Sequence, residues 1–219
     1  LAWSFLLLAI LSTANYITSN TFKNLIWAIG AWVLSVYANL SVITVALIGV
    51  ALLFLVAFQG KRKQHLFLVG GTLILSSGAI YYALFLQKIG KLYLGNKDDF
   101  ISTTLQNLTD LLFSIKAFYL EAIILLIFIL VTIRLIYSLY RSQLKIKVDQ
   151  LFYIFLVLSV FAIFAQNVML SVNFPEDRSA GFLVIFFYGS LCFIFDQFRL
   201  KLISWLLSSL LLVCFVTQA

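Results

Sequence analysis

Charge is scarce in this 219-residue sequence: Asp, Glu, Lys and Arg together make up 11% of it, and hydrophobic residues make up 63%. A soluble domain typically contains about 25% charged and about 45–50% apolar residues. This composition excludes a soluble domain. Several uncharged stretches reach the ~20 residues that a helix needs to cross a bilayer. The predicted fold class is therefore all-α, a polytopic transmembrane helix bundle.

Residues that bind metals, cofactors or nucleotides are also scarce. The chain has one histidine, His65, and two cysteines, Cys192 and Cys214, which both lie in apolar runs. We predict that the cysteines are reduced packing residues and that His65 lies on the surface next to the basic residues 61–63. The sequence contains no Walker loop, dinucleotide fingerprint or nucleophile motif, so no metal and no cofactor is predicted. The net charge of +7 indicates loop orientation rather than binding to nucleic acid.

Apolar stretches predict about seven membrane helices. The stretches are residues 1–18, 24–60, 66–87, 117–133, 151–172, 179–195 and 202–219. A single helix over residues 24–60 would be about 55 Å long, nearly twice the thickness of the hydrocarbon core. We therefore expect a tight turn near Asn39, whose side chain competes for backbone hydrogen bonds. One strongly tilted, broken helix is the alternative.

Residues 1–219 are predicted to form a single transmembrane domain. The chain begins with Leu1 inside an apolar run and has no initiator Met, so we expect a C-terminal fragment of a longer membrane protein. Within residues 66–87, small residues are expected to let another helix approach closely. They are Gly70, Gly71, Ser77 and Gly78.

Basic residues are distributed unevenly between the loops. Residues 61–65, 141–147 and 199–201 carry several Lys and Arg and no acid, whereas Asp and Glu offset the cations of residues 88–116 and 171–178. Because Lys and Arg concentrate in cytoplasmic loops, the first group is predicted to be cytoplasmic and the second external.

Part of the long external loop has the pattern of an amphipathic helix. Its apolar residues recur every three or four positions, at Ile101, Leu105, Leu108, Leu112 and Ile115. Polar residues such as Thr103 and Thr109 lie between them, which predicts a helix in the membrane interface. The preceding acids Asp98 and Asp99 are candidate substrate-binding residues if this helix covers a lipid-facing site. The alternative is a helix that only supports the interface.

Residues 171–178 contain the only proline of the chain and three consecutive charges. Pro175, Glu176, Asp177 and Arg178 are candidate substrate-binding residues. We expect Asn173 to cap the next helix and Pro175 to lie in its first turn. A cation in that turn opposes the helix dipole, so Arg178 should have an anionic partner. This partner is Glu176 or Asp177, a lipid headgroup, or a phosphate bound at the helix N-terminus.

Glu121 is a further candidate substrate-binding residue. It is predicted to lie about one turn inside the external boundary of its helix. An ionisable residue inside the membrane is a functional hypothesis by default. The alternative is that so shallow an acid faces water.

Three short motifs resemble a known superfamily. The run Phe174-Pro175-Glu176-Asp177-Arg178-Ser179-Ala180 is similar to an aromatic-Pro-x-x-Arg-(Ser/Thr)-Ala motif of bacterial GT-C glycosyltransferases. These enzymes use polyprenyl-phosphate-linked sugars. The turn at Tyr37–Ser41 also resembles this superfamily, and Leu94-Gly95-Asn96 resembles its Pro-Gly-Asn loop without the proline.

The resemblance implies a multi-pass enzyme of the bacterial cytoplasmic (inner) membrane that transfers a sugar at the external face. In this superfamily the catalytic acid lies in the first external loop, which is expected upstream of residue 1, so no catalytic residue is assigned. Pro175 and residues 178–180 would shape the donor or acceptor site. The implied partners are membrane lipid and a polyprenyl-phosphate-linked sugar. The alternatives are a structural subunit of a membrane complex, and a transporter or flippase, which the uncharged spans disfavour.

Overall fold

The computed structural model describes residues 2–89, 100–113, 118–170, 172–175 and 180–197. The α-helices are α1 (Ala2–Ser19), α2 (Phe22–Ala38), α3 (Ile43–Gln59), α4 (Lys63–Lys88), α5 (Gln106–Phe113), α6 (Phe118–Arg141), α7 (Leu151–Leu170) and α8 (Gly181–Gln197). Short 3₁₀-helices lie at Leu40–Val42 and Val148–Gln150, and a π-helix at Ile101–Leu105 leads into α5. The all-α prediction is confirmed.

Most of these helices are long or apolar enough to lie in a membrane. Four helical stretches can cross one by length and composition, namely Leu40–Gln59, Lys63–Leu86, Tyr119–Arg141 and Val148–Met169. Three shorter apolar helices accompany them, at Trp3–Ser19, Phe22–Ala38 and Gly181–Asp196. The chain is therefore an integral, multi-pass membrane protein. The last predicted span, residues 202–219, lies outside the described residues.

The predicted turn near Asn39 separates α2 from α3. The Asn39 backbone N–H donates to Ser35 O and closes α2. The Asn39 side chain accepts hydrogen bonds from the backbone N–H and the hydroxyl of Ser41, at 3.0 and 2.8 Å. Beyond the turn the chain folds back, because Gly49 of α3 lies against Trp32 of α2. Residues 24–60 therefore form two helices side by side, and the alternative of one broken helix is wrong.

Trp32 lies at the centre of the first three helices. Its indole Nε1 donates to Thr13 Oγ1 of α1 at 3.0 Å, and its ring centroid lies 5.4 Å from that of Phe155 in α7. A Cβ added at Gly49 would overlap the indole ring, so the absence of a side chain at this position lets α3 approach α2. The result is a closed core built around one tryptophan.

The close approach predicted at the glycines of α4 is not seen within the part of the chain that the structure describes. No heavy atom of the described residues outside the local helix lies within 4 Å of a Cβ built at Gly70, Gly71 or Gly78. The packing that the sequence suggested for α4 occurs elsewhere, at Gly49 and at Gly189, where a Cβ would overlap Phe152. Small residues permit a close approach, but they do not decide which face of a helix meets a neighbour.

His65 is buried, so the prediction that it lies on the surface is wrong. Helix α4 begins at Lys63, before the predicted start at residue 66, and His65 lies in its first turn with 4% of its surface exposed. The His65 Nδ1 lies 2.8 Å from Tyr16 Oη of α1, and the Phe22 ring centroid is 5.5 Å from the imidazole. The early helix start carries the ring away from the basic loop and toward α1.

The connections lie at two ends of the bundle. The α6–α7 connection, residues 142–150, defines the end that we call the basic end, and Gln59 Nε2 at the end of α3 donates to Leu144 O there at 2.9 Å. Residues 100–113 and 172–175 meet at the opposite end of α6 and α7, which we call the Pro175 end. The charge pattern of the sequence grouped these segments in the same way.

Candidate functional site

A half-open pocket of about 490 Å³ lies at the Pro175 end. Its walls come from α5 with the π-helix before it, from α6, α7 and α8, and from residues 172–175. The volume is in the range of ligand sites, about 300–1,000 Å³. Of the described residues that line it, Thr104 is the only polar one, and the others are aliphatic or aromatic.

Helices α6 and α7 form the long walls of the pocket. On α7 the residues that line the pocket are Leu156, Val160 and Phe164. They are four positions apart and therefore share one helix face. They extend for about 12 Å along the helix axis. On α6 the wall consists of Ile124, Leu125 and Phe128. The pocket is therefore a groove that follows the helices and could accommodate an elongated apolar group.

The segment predicted as an amphipathic helix forms another wall. It is helical over the described residues 101–113, and Leu105 and Leu108 of its apolar face are buried and line the pocket. Thr103 and Thr109, which the pattern placed between the apolar residues, are buried as well. The Thr109 hydroxyl donates to Gln106 O at 2.7 Å, so a backbone carbonyl satisfies it inside the packed face. This helix is therefore more deeply packed than its pattern suggests.

Pro175 is bound to this helical segment. Thr104 Oγ1 donates to Pro175 O at 2.8 Å, and Phe174 is buried against Phe100 and Phe164 with ring centroids 5.8 and 5.9 Å away. The three phenylalanines all line the pocket. Pro175 therefore lies at the pocket because its carbonyl and its aromatic neighbour hold it there.

The predicted start of the last described helix is wrong. α8 begins at Gly181, and Asn173 and Pro175 lie in a non-helical segment before it. The predicted anionic partner of Arg178 concerns a residue that lies outside the described residues. Local capping rules favoured a helix start at Asn173, but the hydrogen bond to Thr104 and the burial of Phe174 hold this segment out of α8.

Glu121 lies close to the pocket wall of α6. It is in the first turn of the helix, three residues before Ile124, and therefore on nearly the same face and about 4.5 Å away along the axis. Its exposed fraction is only 6%. The alternative that Glu121 simply faces water is therefore wrong.

Two of the seven candidate residues lie next to the pocket: Pro175 adjoins the lining residue Phe174, and Glu121 lies one helical turn before Ile124, although neither side chain lines the pocket itself. The other five lie outside the described residues: Asp98, Asp99, Glu176, Asp177 and Arg178. The sequence reasoning missed Thr104 and the three-phenylalanine cluster. The position of Phe174 directly before the only proline was the one local signal for that cluster.

Within the described ranges, no three His, Cys, Asp or Glu side chains form a group that could hold a metal ion. The search of known protein families, of curated proteins and of solved structures found no match to this chain.

Proposed function

We propose that the protein is part of a GT-C-like glycosyltransferase that transfers a sugar from a polyprenyl-phosphate-linked donor. The proposed location is the bacterial cytoplasmic (inner) membrane, with the Pro175 end on the external face. In this arrangement about seven helices cross the membrane, and α5 with the preceding π-helix lies in the external interface. The excess of Lys and Arg at the basic end supports the orientation.

The observation that carries the proposal is the apolar pocket at the Pro175 end. A polyprenyl chain is a long hydrocarbon with methyl branches, so packing against aliphatic and aromatic walls stabilises its bound state. The groove along α6 and α7 offers such walls over about 12 Å. The phosphate of the donor would then lie at the mouth of the groove, near the segment that contains Pro175.

Arg178 is proposed to hold that phosphate. It follows Pro175 by three residues in the motif that resembles the superfamily. The guanidinium group is planar and presents paired donors that match phosphate oxygens, whereas the Lys ammonium is a point charge. Glu121, Asp98, Asp99, Glu176 and Asp177 are proposed to border the sugar or the acceptor, and no residue is assigned as the catalytic acid.

A pair of matched substitutions on α7 tests the pocket. Val160→Trp places an indole in the groove, whereas Val168→Trp makes the same change at a position that is 80% exposed. Binding of undecaprenyl phosphate to the purified protein in detergent is measured for both variants. We expect Val160→Trp to weaken binding on the order of tenfold, which corresponds to displacing roughly two buried CH₂ groups, and Val168→Trp to bind like the unmodified chain.

Phosphatidic acid is the control ligand, because it has a phosphate monoester but diacyl chains instead of a polyprenyl chain. Preference for undecaprenyl phosphate in the unmodified chain, lost in Val160→Trp, supports the proposal. Equal binding of both lipids, or unchanged binding by Val160→Trp, would show that the groove only accommodates bulk lipid.

The role of Arg178 is tested by two further variants. Arg178→Ala should weaken binding of undecaprenyl phosphate on the order of tenfold, because a charge-assisted hydrogen bond contributes about 1.5–3 kcal/mol. Arg178→Lys keeps the charge and should weaken binding of undecaprenyl phosphate less than Arg178→Ala does. Both variants should keep the melting temperature of the unmodified chain. A loss of stability without a selective loss of binding would instead favour a structural ion pair.

A structural subunit of a membrane complex is the second candidate. The open face at Gly70, Gly71 and Gly78 favours it, because faces of small residues allow close association of helices in a membrane. A subunit of this kind has no need to distinguish polyprenyl phosphate from phosphatidic acid, so the same binding measurement separates the two candidates.

A further inference from the structure

A second pocket lies at the basic end, between the end of α6 and the start of α7. Its volume is about 280 Å³. Three of the described lining side chains are cations, Arg134, Arg141 and Lys147, and one is an acid, Asp149, which gives these residues a net charge of 3 − 1 = +2. The other lining residues are Tyr137, Ser138 and Ser142. All seven lining side chains are polar or charged, in contrast to the apolar pocket at the Pro175 end.

The α6 side of this pocket is one continuous helix face. Arg134, Ser138 and Arg141 are spaced by four and three residues, which places them on the same side of the helix. The two arginines are about 10 Å apart along the axis. The Arg134 guanidinium carbon also lies 5.8 Å from the ring centroid of Tyr137. Two planar cations and hydroxyl groups thus face the same space.

The opposite side is built by a backbone reversal. Gln143 and Leu144 have φ values of 53° and 63°, a left-handed conformation that non-glycine residues adopt rarely. Gln59 stabilises this reversal, since its Nε2 donates to Leu144 O at 2.9 Å. The chain consequently turns back and brings Lys147 to the pocket, across from the arginines of α6.

A buried glutamine fixes the position of Lys147. Gln150 is fully buried, its Oε1 accepts from the Lys147 backbone N–H at 2.9 Å, and its Nε2 donates to Ser138 Oγ at 2.8 Å. The amide thereby bridges both sides of the pocket. The hydrogen bonds of a buried glutamine therefore hold the cationic site, which is not a chance cluster of surface lysines.

We propose that this pocket binds the phosphate group of an anionic phospholipid, with the acyl chains lying along α6. The fork of each arginine suits phosphate oxygens, and basic pockets between membrane helices at the cytoplasmic side are suited to anionic headgroups. Next to the pocket, Ile133 and Ile136 of α6 are exposed, and so are Tyr137 and Tyr140. Apolar residues followed by tyrosines at a helix end are typical of the boundary between hydrocarbon and headgroups.

The test uses the full chain, purified in detergent and freed of lipid. Three probes are titrated separately: dioctanoyl phosphatidylglycerol, dioctanoyl phosphatidylcholine and inorganic phosphate. The variants are Lys147→Gln, the double variant Arg141→Gln/Lys147→Gln, and the control Lys145→Gln. Lys145 is exposed in the same connection but does not line the pocket, so the control removes one charge without changing the site.

We expect the unmodified chain to prefer phosphatidylglycerol to phosphatidylcholine. Lys147→Gln should weaken binding of phosphatidylglycerol by about fivefold and the double variant by about 30-fold, from about 1 kcal/mol for each cation near the surface. Lys145→Gln should change binding by less than about twofold. Lys147 is exposed in a connection, so its single variant tests the site even if the double variant fails to fold.

Each opposing result overturns a defined part of the proposal. Inorganic phosphate that binds as tightly as phosphatidylglycerol would identify a soluble anion as the ligand. Equal losses for Lys145→Gln and Lys147→Gln would show diffuse attraction to a basic surface rather than a pocket. Equal binding of the two phospholipids would mean that the net charge of the headgroup is not recognised.

Discussion

The helices before residue 60 and the helices after residue 100 pack in different ways. In α1–α3 the core closes around Trp32. The indole fills the space that a side chain at Gly49 of α3 would occupy. In α5–α8 large aromatic and aliphatic side chains meet, yet they enclose a pocket of about 490 Å³. Dense packing specifies one structure. The side chains around a preformed apolar space lack van der Waals partners on one side, and such a space is expected where a ligand supplies those contacts. The first region therefore has the packing of a scaffold, and the second region contains the candidate site.

The largest effect is expected where the scaffold is most tightly packed. Gly49→Leu would force a side chain into the indole of Trp32, and overpacking typically costs about 1–3 kcal/mol and occasionally more. We expect a loss near the upper end of that range, seen as a lower melting temperature of the purified protein in detergent. Gly70→Leu is the control, because no heavy atom outside the local helix lies within 4 Å of its Cβ position.

An enlarged side chain should have a different effect in the C-terminal helices. Val160→Trp also enlarges a side chain, but it points into open space in the pocket, so it should leave the melting temperature nearly unchanged while it weakens lipid binding. If Val160→Trp destabilised the protein as much as Gly49→Leu, the distinction between a closed core and a preformed pocket would be wrong.

The sequence predicted well those features that are determined within a few residues. The turn at Asn39 is an example, because the side chain that competes for backbone donors makes its hydrogen bonds to Ser41, only two residues away. The helical periodicity of residues 101–113 is another. Apolar length alone was enough to predict a multi-pass helical membrane protein.

Features that depend on distant contacts were predicted poorly. The glycines of α4 and Gly49 look alike in the sequence, yet within the described part of the chain a bulky neighbour is seen at Gly49 and not at the glycines of α4. Pro175 satisfies the local rules for a helix start but binds Thr104, which is 71 residues away. The pocket itself requires four helices and an extended segment to meet, and no local pattern specifies such an arrangement.

The next largest effect is expected at the buried pair of Tyr16 and His65. Tyr16→Phe removes the hydroxyl that lies 2.8 Å from His65 Nδ1 and leaves that ring nitrogen buried without this partner. An unsatisfied buried polar group costs about 1–3 kcal/mol, so thermal unfolding in detergent should begin at a lower temperature. Tyr140→Phe makes the same change at a tyrosine that is 83% exposed and should have no measurable effect. Equal behaviour of the two variants would mean that the pair contributes nothing to the closed core.

The smallest effect is expected at the pocket, from Thr104→Val. This substitution keeps the shape of the side chain and removes the donor to Pro175 O, which should cost about 0.5–1.5 kcal/mol. The loss should be local, because residues 172–175 are a short segment at the edge of the bundle. Hydrogen–deuterium exchange at the Phe174 amide should become faster, while the melting temperature of the whole protein changes little.

Thr132→Val is the matched control for this variant. The Thr132 hydroxyl donates to Phe128 O within its own helix, so its removal should leave exchange at Phe174 unaltered. Lipid binding is the second measurement on both threonine variants. If the hydrogen bond to Pro175 shapes the mouth of the pocket, Thr104→Val should also weaken binding of undecaprenyl phosphate. The valine side chain has the same size as threonine, so the substitution does not block the groove. Faster exchange without weaker binding would show that residues 172–175 cover the pocket but do not take part in holding the ligand.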